Sequence, residues 1–404
     1  MSALKYWIWL SSLEGVGMRA KAAVIRRFGD AESAFFSPSG SFASTEGISP
    51  AEAALLEQRK LGRADEILGD CEAQGLSIVT MQDALYPKRL KSIWAPPAVL
   101  YVKGRLPFID DEAAIAVVGT RAASPYGIKM SRQIAGEIVR CGGIVISGLT
   151  NGVDAAAAYG ALEAGGVCVG VLGTAHEQQE SELSCDVCQR GALVSEYAPG
   201  TRSLKSFFRD RNRISSGLSV GAVAIEAPET SGTLLFVAEA LEQGREVFAV
   251  PGNADAAGCR GTNRLLKEGA TPVTCGWDVM REFKGRFPGR IKEDAQIRPA
   301  AETPKASAPQ PAGSPENGSE SAQKEIDKQN SGAYIDLREQ LASLSETQLK
   351  IVSAIDKEPT HIDDIVEKTG LGAATVLTQL TVMTVKGLVR RVPGNRVALN
   401  VQRR

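Results

Sequence analysis

Nine consecutive residues, Lys205-Ser206-Phe207-Phe208-Arg209-Asp210-Arg211-Asn212-Arg213, carry four cations, one carboxylate and two phenyl rings. Cations neutralise phosphates, and rings offer faces on which bases stack at ~1–3 kcal/mol each, so the segment suits a nucleic-acid strand. Four glycine-punctuated turns flank it: Gly119-Thr120-Arg121-Ala122-Ala123-Ser124, Ser147-Gly148-Leu149-Thr150-Asn151-Gly152-Val153-Asp154, Gly173-Thr174 and Ser231-Gly232-Thr233. Such turns expose backbone N–H groups, and helix N-termini add a positive dipole end. Gly119, Ser147, Gly148, Gly232 and Thr233 are therefore expected to line a phosphate-binding surface. Arg121 should hang its guanidinium over the first turn, and Ser124 can cap the next helix. Of Phe207 and Phe208, one is expected in the core and the other against a base.

These turns must sit at the ends of strands. Apolar runs recur at 115–118, 144–146, 167–172, 192–195, 220–225 and 246–250, alternating with helical periodicity such as 128–140 and 154–164. Short, wholly apolar strands between helices imply a parallel sheet covered on both faces. Its ligands belong at the carboxyl ends of the strands, where the glycine turns fall.

On either side the pattern changes. Residues 1–81 read as a domain of short helices. Leu13-Glu14-Gly15-Val16-Gly17 with the following apolar face forms a helix-hairpin-helix, and a tight helix–helix turn is the preferred reading of it over a DNA contact. Residues 86–103, with Pro87, Pro96 and Pro97, read as an extended connector. The sheet domain should occupy 82–287, and a Pro/Ala/Ser/Gly-rich linker 288–335. Residues 336–404 recover order as three helices (346–356, 362–368, 373–386) and a hairpin around Pro393-Gly394-Asn395, the winged form of helix-turn-helix.

With 404 residues the chain is long enough for roughly two to three domains. Net charge is −1, so affinity for nucleic acid must come from a local patch rather than a global field. No run approaches the ~18 apolar residues of a membrane span, and Tyr6-Trp7-Ile8-Trp9-Leu10 is too short for the core of a leader. Seven cysteines without a leader imply reduced thiols and a cytoplasmic location. Cys185 and Cys188, with His176 upstream, fall short of the four ligands a closed zinc site needs, so neither metal nor cofactor is expected. Asp154 is read as holding its loop, because no histidine or second carboxylate stands near it for acid–base work.

Taken in order, five stretches resemble the DNA-processing protein A (DprA/Smf) family of bacteria. They are Val118-Gly119-Thr120-Arg121-Ala122-Ala123-Ser124-Pro125-Tyr126-Gly127, the turn from Ser147 to Asp154, Leu193-Val194-Ser195-Glu196-Tyr197-Ala198-Pro199-Gly200-Thr201, Arg211-Asn212-Arg213-Ile214, and Ala240-Leu241-Glu242-Gln243-Gly244-Arg245-Glu246-Val247-Phe248-Ala249-Val250-Pro251-Gly252. The resemblance implies an α/β fold: an extended Rossmann-like parallel sheet domain, flanked by an N-terminal helical domain of helix-hairpin-helix or SAM-like type and a C-terminal winged helix. It also implies a mediator without turnover that binds single-stranded DNA, protects it and helps load RecA in natural transformation. Arg121, Lys205, Phe208, Arg211 and Arg213 match the positions expected on the strand, and the segment 261–270 matches the part that pairs in a homodimer.

Three departures bear on that expectation. The family usually carries Arg at the position of Asn151 and often His at that of Ala158, and residues 175–189 lack its usual Tyr-Pro and following Lys. Each departure removes a polar or positive group from the pocket rim. The alternative function on the same fold is a nucleotide-binding or nucleotide-hydrolysing enzyme, since architecture alone does not fix chemistry. In that reading Glu239, six residues after Thr233, gives only a poor match to the signature of nucleoside-monophosphate phosphoribohydrolases.

Overall fold

All six apolar runs form strands in the computed structural model. It describes residues 3–292 and, further on, 346–355, 360–372, 375–376, 379–380, 383, 389–392 and 396–399. In chain order the strands of the first sheet are β1 (Ser77–Thr80), β2 (Val99–Gly104), β3 (Ala114–Val118), β4 (Ile144–Ser147), β5 (Cys168–Val171), β6 (Ala192–Ser195), β7 (Gly221–Ala224), β8 (Glu246–Ala249) and β9 (Thr271–Pro272). Their spatial order is β1-β2-β6-β5-β4-β3-β7-β8-β9, parallel from β6 to β9.

Alternation along each strand feeds two cores. Ile115, Val117, Val223 and Ile225 face one layer of helices, which includes Pro125–Arg140 and Val153–Glu163. Ala116, Val118, Ala222 and Ala224 face the other, with Asn212–Leu218 and Gly232–Glu242. Because β4, β5 and β6 wind outward on one side of β3 and β7 starts the other side, a crevice opens where the winding reverses.

Two expectations change. The connector at 86–103 contains a short helix, Lys88–Lys91, and then β2, which pairs antiparallel with both β1 and β6. The buried Tyr86 hydroxyl donates to Pro97 O at 2.7 Å, so the prolines brace a turn into the sheet instead of spacing two domains. The expected boundary at residue 81 also dissolves. The chain divides into two compact units, Met1–Pro304 and Lys305–Arg404, and the helical segment belongs to the first. Trp7, Trp9, Ile67 and Leu76 share one core with Val99, Tyr101 and Ala198 of the sheet side.

The helix-hairpin-helix is present as Leu4–Ser12 and Met18–Phe28. The Gly17 N–H at its turn donates to Glu52 Oε1 at 3.0 Å. A carboxylate already occupies the place a phosphate would take, so the geometry supports the plain turn.

In the second unit, Glu346–Ala354 and Ile362–Thr369 are helices, and residues 375–376, 379–380 and 383 are helical. Strands β10 (Thr360–His361), β11 (Val389–Val392) and β12 (Arg396–Leu399) form a sheet in the order β10-β12-β11, the wing of a winged helix. Ile351, Ile365, Leu380, Met383 and Val397 fill its core. Most of the expected linker, 293–335, and the turn at 393–395 lie outside the described residues, whereas Ile291 is buried against the first unit's core.

One half-buried cation gives the helical segment a pH signature. Lys21 Nζ donates to Ser11 O at 2.6 Å, and burial lowers its pKa from the ordinary 10.5 to about 8, partly offset by Glu196. Between those values the unfolded chain binds the proton and the folded chain does not, so stability should rise as pH climbs from 8 towards 10.5. Denaturant unfolding of wild type against Lys21→Met across that window should show a difference growing by at most about 1.4 kcal/mol per pH unit.

Candidate nucleic-acid interface

A cleft of ≈ 480 Å³ lies over the carboxyl ends of β3, β4 and β7. The β3 turn contributes Gly119, Thr120 and Arg121; the β4 turn contributes Gly148, Thr150 and Asp154. Lys205, Phe208, Arg209 and Arg211 form a third wall, and Thr230 to Thr233 close the fourth at the start of helix Gly232–Glu242. Ser231 caps that helix by accepting the Thr233 N–H at 3.1 Å. Four segments far apart in sequence thus meet where the sheet's winding reverses.

The floor is built from opposed charges. Arg211 is buried, and its Nη1 donates to Val171 O at 2.8 Å. Asp154 is buried beside it, accepts the Thr150 hydroxyl at 2.9 Å, and is also favoured in its ionised form by the Gly119 and Thr150 amides. Burial raises the carboxyl's pKa and lowers the guanidinium's, while each charge acts on the other in the opposite sense. A Cβ on Gly148 would stand 2.6 Å from both Asp154 Oδ2 and Arg211 Nη2, which is why only glycine fits there. Gly152, at φ +82, brings its Cα against the Thr120 and Arg121 carbonyls and locks the β3 turn to the β4 turn.

Above this floor the cations are exposed and the Phe208 ring is half-buried. The Arg121 guanidinium lies over the Phe208 ring, 5.4 Å from its centroid. Lys205 and Arg209 are solvent-accessible on the same wall. Phe207 stacks on Tyr197 at 3.9 Å and 13°, so it is Phe208 whose ring lines the cleft.

Eight of the residues singled out in the sequence line this cleft: Gly119, Arg121, Gly148, Lys205, Phe208, Arg211, Gly232 and Thr233. Three do not. Ser147 is buried and ties its loop, donating from Oγ to Asp154 O and accepting the Leu149 N–H. Ser124 caps helix Pro125–Arg140 through the Gly127 N–H and lines a neighbouring cavity. Arg213 is the clear correction. It is 2% exposed, points away from the cleft, and pairs with Glu196 Oε2 at 2.5 Å while its Nε meets the Met18 sulfur. Two residues of helical advance turn it from the cleft that Arg211 lines to the junction with the helical segment.

The sequence reading left Arg209 and Thr120 out of the site, although Arg209 lies in the cationic run. Glu239 lies outside the cleft, where its Oε1 accepts the Trp94 indole N–H at 2.8 Å and the Gln243 amide. His176 is turned into the core with Nε2 on Tyr101 O, away from Cys188, whose Sγ faces Lys103 O. Of the departures from the family pattern, Asn151 is exposed and Ala158 is fully buried in the core.

Comparison with known proteins agrees with this architecture. The family model for DNA recombination-mediator protein A matches residues 77–284, and that for the DprA winged helix domain matches 337–395. Protein Smf of Escherichia coli is 32% identical over 80% of this chain and 77% of its own length. DNA processing protein DprA of Bacillus subtilis is 34% identical over 54% of this chain and 75% of its own. The X-ray structure of DprA from Streptococcus pneumoniae superposes with a TM-score of 0.61 at 30% identity, covering 70% of this chain and 99% of that one.

The two arginines should separate cleanly on substitution. Arg213→Ala strands the Glu196 carboxylate in the interior and should cost roughly 3–5 kcal/mol in denaturant unfolding. Arg121→Ala, at an exposed position, should change stability by less than about 0.5 kcal/mol.

Proposed function

The chain belongs to the family of DNA recombination-mediator protein A, a family of DNA-processing proteins, and from that premise we propose that its cleft holds single-stranded DNA. The observation that carries this reading is the Arg121–Phe208 pair at the mouth of the β3 turn. A ring beside a guanidinium gives a base a face to stack on and its phosphate a cation to meet. In a duplex the base faces are already occupied, so a stacking platform of this kind favours an unpaired strand. Lys205 and Arg209 extend the positive wall, and the exposed Gly232 lies at a helix N-terminus across from them.

The strand held there is handed to a recombinase: RecA is the partner, and protection of strands taken up in natural transformation is the setting. The protein works in the cytoplasm as a binder without turnover. Among the described residues no histidine lines the cleft, and the one carboxylate on its lining, Asp154, is consumed in holding two turns together. Assembly as a homodimer would align two clefts and raise affinity for strands that reach both. Helix Arg260–Lys267 supplies that surface through its exposed face, since Leu265 is buried and Leu266 packs on the core. Pro272 lies in the edge strand β9, where a missing N–H costs no sheet bond.

Titration of labelled oligo-dT at two salt concentrations tests the reading. Affinity should fall with salt at a slope of about −0.7 per contacted phosphate. Arg121→Ala should weaken binding roughly 10- to 100-fold, the value of a charge-assisted contact. Unchanged binding by a folded Arg121→Ala protein would remove the cleft assignment, and release of base or phosphate from nucleotides would favour the enzyme instead. Light scattering at micromolar concentration, with and without Lys267→Glu on that exposed face, checks the dimer; a monomer throughout refutes it.

A further inference from the structure

A second cavity, ≈ 410 Å³, lies beyond the Arg121 turn, lined by Ser124, Tyr126, Glu226, Pro251, Asn253 and Cys259 among others. Its size is that of a small-molecule site. Its wall is mostly apolar, with one exception that calls for a partner. Glu226, at the end of β7, is 4% exposed. Its Oε2 accepts the Ser124 N–H at 2.9 Å, and Oε1 accepts nothing among the described residues. With Oε2 taken by the backbone, Oε1 is left open to the cavity to accept from a ligand that brings a donor.

The other walls narrow the choice. Tyr126 is 42% exposed, and its hydroxyl donates to Pro251 O at 2.8 Å, which holds the ring at the rim as a flat surface. Asn253 is exposed and also lines the cavity, with an amide able to donate. A planar ligand is therefore offered a ring face, a carboxylate that only accepts and an amide that can donate.

We propose that this cavity is a guanine-binding pocket. Of the common bases only guanine presents two adjacent donors, N1–H and the N2 amine, to a carboxylate, with O6 beside them for the Asn253 amide. Cytosine and adenine set a ring acceptor next to their amine, and thymine's N3–H lies between two carbonyls; both arrangements turn lone pairs towards Glu226. Ser124 and Tyr126 directly follow the turn that carries Arg121, so a base next along a strand from the cleft reaches the pocket over that turn. For that source of the base the proposal rests on the single-strand reading; a free guanine nucleotide offers the same edge.

The test uses the full-length protein and oligo-dT carrying a few central dG residues, with deoxyinosine at the same positions as the control that lacks only the N2 amine. Wild type should bind the dG strand about tenfold more tightly than the inosine strand, the value of one charge-assisted hydrogen bond. Glu226→Gln keeps an acceptor for Ser124 but presents an amine to the base, and should abolish the preference. Tyr126→Ala, which leaves the Ser124 contact alone, should reduce affinity for dG strands while leaving oligo-dT binding unchanged. Arg121→Ala should weaken every strand by one factor and preserve the ratio. In a parallel titration with GMP, saturable binding lost in Glu226→Gln without any strand preference identifies the free nucleotide as the source. Equal binding of dG and inosine strands together with no GMP binding overturns the proposal. If no strand binds at all, the cleft reading fails, and the GMP titration alone still decides the pocket.

Discussion

Two opposite charges buried on either side of Gly148 hold the cleft together. Arg211 reaches from the third wall to the last carbonyl of β5, and Asp154 reaches back to the turns after β3 and β4. Neither charge would survive alone in that environment, because burial opposes both. Their mutual attraction and their hydrogen bonds to backbone groups fix the strand ends relative to one another. The glycines follow from this arrangement, since a side chain at 148 would displace the pair and one at 152 would push the two turns apart.

The cationic run then divides according to depth. Lys205 and Arg209 stay in water at the rim, Arg211 becomes part of the floor, and Arg213 leaves the cleft for an internal pair with Glu196. Desolvation decides this division. A guanidinium aimed inward must find an acceptor, and each of the run's two buried arginines has found a different one. Arg121 remains outside because its turn ends in water, and Phe208 gives it a ring to lie on.

Arg213 also joins the helical segment to the sheet. Its contact with Met18, the influence of Glu196 on Lys21, and the core shared by Trp7, Trp9 and Tyr101 make one body of what reads as two domains. The antiparallel strands β1 and β2 lie between them and seal the edge at β6. The helix-hairpin-helix turn spends its donor on Glu52, and Glu239 receives the indole of Trp94. Polar groups that could have met a ligand are thereby absorbed into the junction.

The recurrence of short apolar runs between helical segments determined the parallel strands, because a strand covered on both faces must be apolar throughout. Glycine at strand ends located the cleft, because there a side chain would collide with the neighbouring turn or with the buried charges, as at 119 and 148. The winged helix was legible for the same reason: its helices and hairpin are local. Strand β2 was not legible, since its prolines resemble a connector and one of its two pairing partners, β6, lies about ninety residues further along the chain. Nor could the sequence separate Arg211 from Arg213, or Phe207 from Phe208. Adjacent positions on a short helix point in different directions, and which direction meets solvent, a carboxylate or another ring is set by segments remote in the chain. Side-chain chemistry was written in the sequence; only packing assigned each group to water or to the interior.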